Sequence, residues 1–114
     1  MGAASARSVI EGEVLSWPGT SAHAHRFGGV EFRLNTRELG HLHGNVLLDI
    51  PFPSKVRDEL VASGQADPHH VLPESGWISF HIRKEEDIQA AIGLLRRSYE
   101  IAGKQKANSL SPND

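Results

Sequence analysis

Six of the seven histidines in this 114-residue chain fall in three close pairs: His23 and His25 in AHAHRF, His41 and His43 in RELGHLHG, and His69 and His70 in ADPHH. Residues two apart on a β-strand project from one face, so the first two pairs can bring four imidazoles to a single surface. Imidazole suits both proton transfer near neutral pH and transition-metal ligation. Cysteine is absent, which removes thiolate ligands, disulfides and a cysteine nucleophile, and fits a reducing cytoplasm. A metal would therefore take nitrogen and oxygen donors. His41, His43, His25 and His70 make the best such set, with Glu31, Glu38 or Asp49 as oxygen donors. A site with no metal fits the same residues.

The elements that must position these side chains follow from periodicity. A first helix is expected over about Ser8 to Ser16, stopped by Pro18-Gly19. From Ala22 to Pro51 the period changes to two: Val30, Phe32 and Leu34 alternate with Glu31 and Arg33, and Gly28-Gly29 marks a bulge or turn. Further strands are expected over Glu38 to His43 and Val46 to Ile50, then a short helix from an N-cap at Ser54 to a C-cap at Gly64. A prolyl loop carrying His69 and His70 leads to a strand over Trp77 to Ile82. The last helix, about Lys84 to Ala102, aligns Ile88, Ala91, Ile92, Leu95 and Tyr99 on one stripe. The fold class is α+β: a single antiparallel sheet of about four strands with helices on one face, in the order α-β-β-β-α-β-α. One domain is expected over 7–103, with flexible tails at 1–6 and 104–114.

Strand parity decides which way the imidazoles point. Leu39 shares a side with His41 and His43, whereas Leu42 lies opposite. Burying two unpartnered imidazoles would cost on the order of 1–3 kcal/mol each, so Leu42 is expected inward and the histidines outward, beside Trp77. Twelve Lys and Arg against fourteen Asp and Glu, a net charge of −2, make nucleic acid a poor partner. No apolar run reaches membrane-spanning length, and no phosphate loop, G-x-S-x-G elbow or kinase signature occurs. A cytoplasmic protein with a small-molecule ligand is the expectation.

The segments HRFGGVEFRL, RELGHLHG, ADPHHVLPESGWISF and DIQAAIGLLRRSYE together resemble the small bacterial luciferase-family domain, which is related to the fungal luciferases; the likeness spans about residues 10–102. Carried over position by position, it implies His41, His43, His70 and Glu38 as catalytic residues and Trp77 and Arg37 as substrate-binding ones, to which the histidine pattern adds His25. It further implies oxidation of an aromatic or enolic substrate with O₂, by an oxidoreductase that needs no cofactor or uses a divalent metal ion. His41 or His43 would remove a hydroxyl proton with Glu38 as orienter, His70 would stabilise an oxyanion, and Trp77 would stack on the ring. The chain departs from the family pattern where Pro68-His69-His70 replaces an Arg-His-Pro loop. Its C-terminal part also looks like MmcQ/YjbR proteins, which keeps a nucleic-acid-binding alternative in view. A noncatalytic protein-interaction domain is the other.

Overall fold

Alternating residues from Thr20 to Pro51 fold into four consecutive antiparallel strands, and the amphipathic C-terminal stripe folds into one long helix against them. The computed structural model describes residues 3–25 and 28–109. Its elements are α1 (Ala6–Leu15), β1 (Thr20–His25), β2 (Gly29–Leu34), β3 (Arg37–His43), β4 (Leu47–Pro51), α2 (Ser54–Ala62), β5 (Asp67–Pro68), β6 (Trp77–His81) and α3 (Glu86–Ser109). The sheet is antiparallel with strand order β1-β2-β3-β4-β6-β5. An α+β fold with helices on one side is as expected, but the sheet has six strands rather than about four. The two additional strands lack the usual signal: β1 is a half-exposed edge with no apolar alternation, and β5 is two residues long and includes a proline.

The core is the face of the sheet turned to the helices. Phe32, Leu39, Leu42, Leu48, Ile50 and Ile78 from the strands meet Ile10 and Val14 of α1 and Ala91 and Leu95 of α3, all fully buried. Ala3 and Ala6 are buried as well, so packing starts at the very beginning of the described chain. The expected terminal tails lie partly outside the described residues, as do Arg26 and Phe27. The N-cap position of α2 is held by Pro53, not Ser54, with Ser54 as the first helical residue and Gly64 just past the end.

In β3 the expected parity holds, with Leu42 inward and His41 and His43 outward, but Leu39 turns inward as well. Phe32 pairs with Gly40, and the next β2 residue, Arg33, pairs with Glu38, so Leu39 is an extra residue, a β-bulge. Both Leu39 and Leu42 therefore point inward and are fully buried. Exposing either would forfeit roughly 1.5–3 kcal/mol of apolar burial, more than the roughly 0.5–1.5 kcal/mol of a lost ladder hydrogen bond. The bulge also returns Glu38 to the outer face, alongside His41 and His43. Gly40 makes this possible: a Cβ there would come within 2.9 Å of the Asp49 carbonyl oxygen and 3.1 Å of both Ile50 Cγ1 and Leu95 Cδ2.

Candidate functional site

A single rung of the sheet carries the centre of the site. Across adjacent strands His23 pairs with Glu31, Glu31 with His41, His41 with Asp49, and Asp49 with Ser79. All project from the face opposite the helices. Asp49 is 1% exposed, and its two oxygens have separate partners. Ser79 Oγ donates to Oδ1 at 2.7 Å. Around Oδ2 stand the Nε2 atoms of His43 at 3.0 Å, His70 at 3.1 Å, His41 at 3.4 Å and His69 at 3.5 Å.

Several of these groups are held by something further. His41 Nδ1 lies 2.6 Å from Glu38 Oε2, the contact that the bulge creates. The His25 ring stacks on His41 at 4.0 Å, and its Nδ1 turns to Glu31, which also binds Arg33. His69 Nδ1 accepts the backbone N–H groups of Val71 (3.2 Å) and Leu72 (3.0 Å), which ties the loop to the ring. The His70 backbone N–H reaches Ser79 Oγ at 3.4 Å. The loop end is fixed where the Phe52 N–H donates to the Gly76 carbonyl at 3.1 Å. A side chain at Gly76 would overlap the Phe52 carbonyl, since its Cβ would lie 2.3 Å from that oxygen. Trp77 thereby arrives 5.3 Å from the His41 ring and 5.9 Å from that of His69.

Electrostatics separates these groups. Burial alone would raise the pKa of Asp49, but hydrogen bonds from His41, Ser79, His70 and His43 hold it well below the ordinary carboxylate range. Burial works to lower His41, and contact with Asp49 and Glu38 outweighs it, raising the pKa to about 9. Because carboxylates engage both ring nitrogens, His41 in the metal-free protein already holds two protons. It is not placed to accept another. His69 is pushed down by burial and by the neighbouring His70 and His41, so it is neutral. Glu31 is drawn down by Arg33 and His25 against the upward effect of burial.

His25, His41, His43, Asp49, His69, His70, Val71, Leu72 and Trp77 line a cleft of about 400 Å³. Of the residues expected at a site, the structure brings together His41, His43, His70, Glu38 and Trp77, with His25 against the His41 ring and turned to Glu31. Arg37 opens β3, is exposed, and is not part of the cleft lining. Asp49, one of three carboxylates considered, is the hub. His69 and Ser79 were not expected at the centre. The signal for Asp49 is a lone carboxylate within the apolar strand VLLDIP.

The luciferase domain family model matches residues 36–98, more than half of the chain. The chain belongs to the luciferase domain family. The matched segment contains Glu38, His41, His43, Asp49, His69, His70, Trp77 and Ser79 and excludes His23, His25 and Glu31. No curated protein and no solved structure matches the chain. Among the described residues no helix is long and apolar enough to cross a membrane.

Proposed function

We propose that this domain is a small-molecule enzyme, related to the fungal luciferases, that oxidises an aromatic or enolic substrate with O₂ in the cleft between Trp77 and Asp49. The observation that carries the reading is the convergence of four imidazole nitrogens on one buried carboxylate, on the floor of a hollow of ligand size. An acidic hydroxyl of the substrate would lie over that cluster as its anion, and the ring would stack on Trp77. Val71 and Leu72, 67% and 52% exposed at the rim, offer apolar contact to the rest of the molecule. Glu38 orients His41, and because both ring nitrogens of His41 are engaged, proton removal falls to His70 rather than to His41. In the net reaction the substrate is the electron donor and O₂ the acceptor. A single folding unit in the cytoplasm belongs to the same proposal.

Mass spectrometry of compounds that co-purify with untagged protein identifies the ligand class, and oxygen uptake with a panel of aromatic enols tests the chemistry. The expected result is uptake that falls at least a hundredfold in His43→Ala and His70→Ala variants that remain folded. Uptake unchanged in both variants removes the cluster from the reaction.

A further inference from the structure

The proposed reading of the cleft leaves open what meets the negative charge of the substrate. We propose that the cleft holds one divalent first-row transition-metal ion, bound by Nε2 of His41 and His43 and by Oδ2 of Asp49.

Hydrogen bonding alone does not account for the arrangement. A carboxylate oxygen offers about two lone-pair positions, yet four rings direct the same atom, Nε2, at Asp49 Oδ2 within 3.0–3.5 Å. Ligands held about 2.0–2.2 Å from a tetrahedral ion lie roughly 3.3–3.5 Å from one another, close to the 3.4 and 3.0 Å that separate His41 and His43 Nε2 from Asp49 Oδ2. The donor atoms of His41, His43 and Asp49 all lie within 4.8 Å of each other, whereas His70 groups with Asp49 and His69.

The hydrogen bonds of the rings decide between the two groups. His69 Nδ1 accepts two backbone N–H groups, so its ring proton is on Nε2. That nitrogen can donate to Asp49 but has no lone pair for an ion, which sets aside the alternative group of Asp49, His69 and His70. On His41 and His43 only the contact with Asp49 engages Nε2, and an ion would replace the proton there. Glu38 accepts from His41 Nδ1 and leaves Nε2 as its ligand atom, the carboxylate–histidine–metal relay common at such centres. Ser79 holds Oδ1 of Asp49 and so turns Oδ2 toward the rings. Two imidazoles and one carboxylate, with open positions, suit Zn²⁺, Fe²⁺, Mn²⁺ or Co²⁺ and not Mg²⁺ or Ca²⁺. The proposed ligands all line the cleft, so an ion there would be within reach of a substrate oxygen. His25, stacked on His41 with Nδ1 toward Glu31, supports a ligand ring instead of binding the ion.

The test titrates untagged, chelator-dialysed protein with Co²⁺ and follows visible ligand-field absorption and the melting temperature, with 4-hydroxycoumarin binding measured in parallel. Expected are saturation at one Co²⁺ per chain, displacement by Zn²⁺ and a higher melting temperature. Affinity should fall about 10–100-fold in Glu38→Gln, become undetectable in the His43→Ala, His70→Ala double variant, and stay unchanged in His23→Asn. Histidines 43 and 70 are 32% and 44% exposed, so their truncation leaves the core intact. Absence of Co²⁺ absorption in the wild-type protein, or equal binding by the double variant, overturns the metal site. If the metal-free protein binds 4-hydroxycoumarin while showing no Co²⁺ site, the ion is refuted and the small-molecule reading stands. A Co²⁺ site without 4-hydroxycoumarin binding supports the ion and counts against the aromatic enol.

Discussion

Ser79 Oγ lies 2.7 Å from Asp49 Oδ1 across the β4–β6 ladder, and both side chains are 1% exposed. One oxygen of the carboxylate is thus committed inside the sheet. The other is left to the imidazoles, and this division fixes the orientation of the whole cluster.

Ser79→Ala removes that commitment without changing any residue of the cleft lining. A buried carboxylate oxygen left without its partner costs about 1–3 kcal/mol. We expect a loss of that size in urea denaturation, together with weaker ligand binding. Unchanged stability would show that Asp49 is held by the histidines alone.

Gly40→Ala alters no polar atom of the site but places a methyl group between β3, β4 and α3. The contacts of 2.9–3.1 Å leave no room without a backbone shift, and overpacking of this kind costs about 1–3 kcal/mol. Because His41 and Asp49 are register partners, the displacement separates them. The variant should lose stability and ligand affinity together. Retained affinity in a destabilised Gly40→Ala would uncouple the strand spacing from the site.

Trp77 is the aromatic wall of the cleft, whereas Trp17 is 7% exposed in the core. In a Trp17→Phe background, an aromatic ligand should quench the fluorescence of Trp77. Trp77→Leu should weaken binding about tenfold, near the upper end of the roughly 0.5–1.5 kcal/mol of an aromatic pair. A Leu variant that binds equally well would place the ligand elsewhere.

Asp87 offers a pH test remote from the cleft. Its carboxylate accepts the backbone N–H of Arg83 at 2.8 Å and of Lys84 at 3.1 Å, which lowers its pKa below the ordinary 3.8. A depressed folded-state pKa contributes stability above pH 3.8 and loses it as pH falls through the lower folded value. Asp87→Ala, expected to cost about 1 kcal/mol at neutral pH as a lost cap, should therefore differ less from the wild type in acid. A gap that widens below pH 3.8 would contradict the assignment.

The parts of the fold that could be read from the sequence were those with strong periodicity. Val30, Phe32, Ile78 and Ile82 faced inward as their alternation required, and the stripe of α3 was buried at Ile88, Ala91 and Leu95. The outward direction of His41 and His43 was legible too, but its reason was not. Alternation assumes one residue per rung, and the bulge at Leu39 breaks that count for the sake of apolar burial. Glu38 was correctly grouped with the histidines by family likeness, whereas strict alternation would have set it on the other face. Asp49 was harder to single out, because a carboxylate's neighbours across a sheet depend on strand order and register. His69 was legible as an imidazole but not as a loop clamp, a role that comes from backbone N–H groups with no mark in the sequence.

The row from Glu31 through His41 and Asp49 to Ser79 has a bearing on how the cluster would come apart. Interior backbone ladders hold those residues, and such ladders open only when the domain as a whole unfolds. His69 and His70 instead reach the row from a loop, which can detach in brief local openings. Hydrogen exchange should accordingly divide the centre in two, with slow amides at 41 and 49 and fast ones at 70–72. Heat or denaturant would then release the loop's imidazoles first, dispersing the cluster while its sheet still stands.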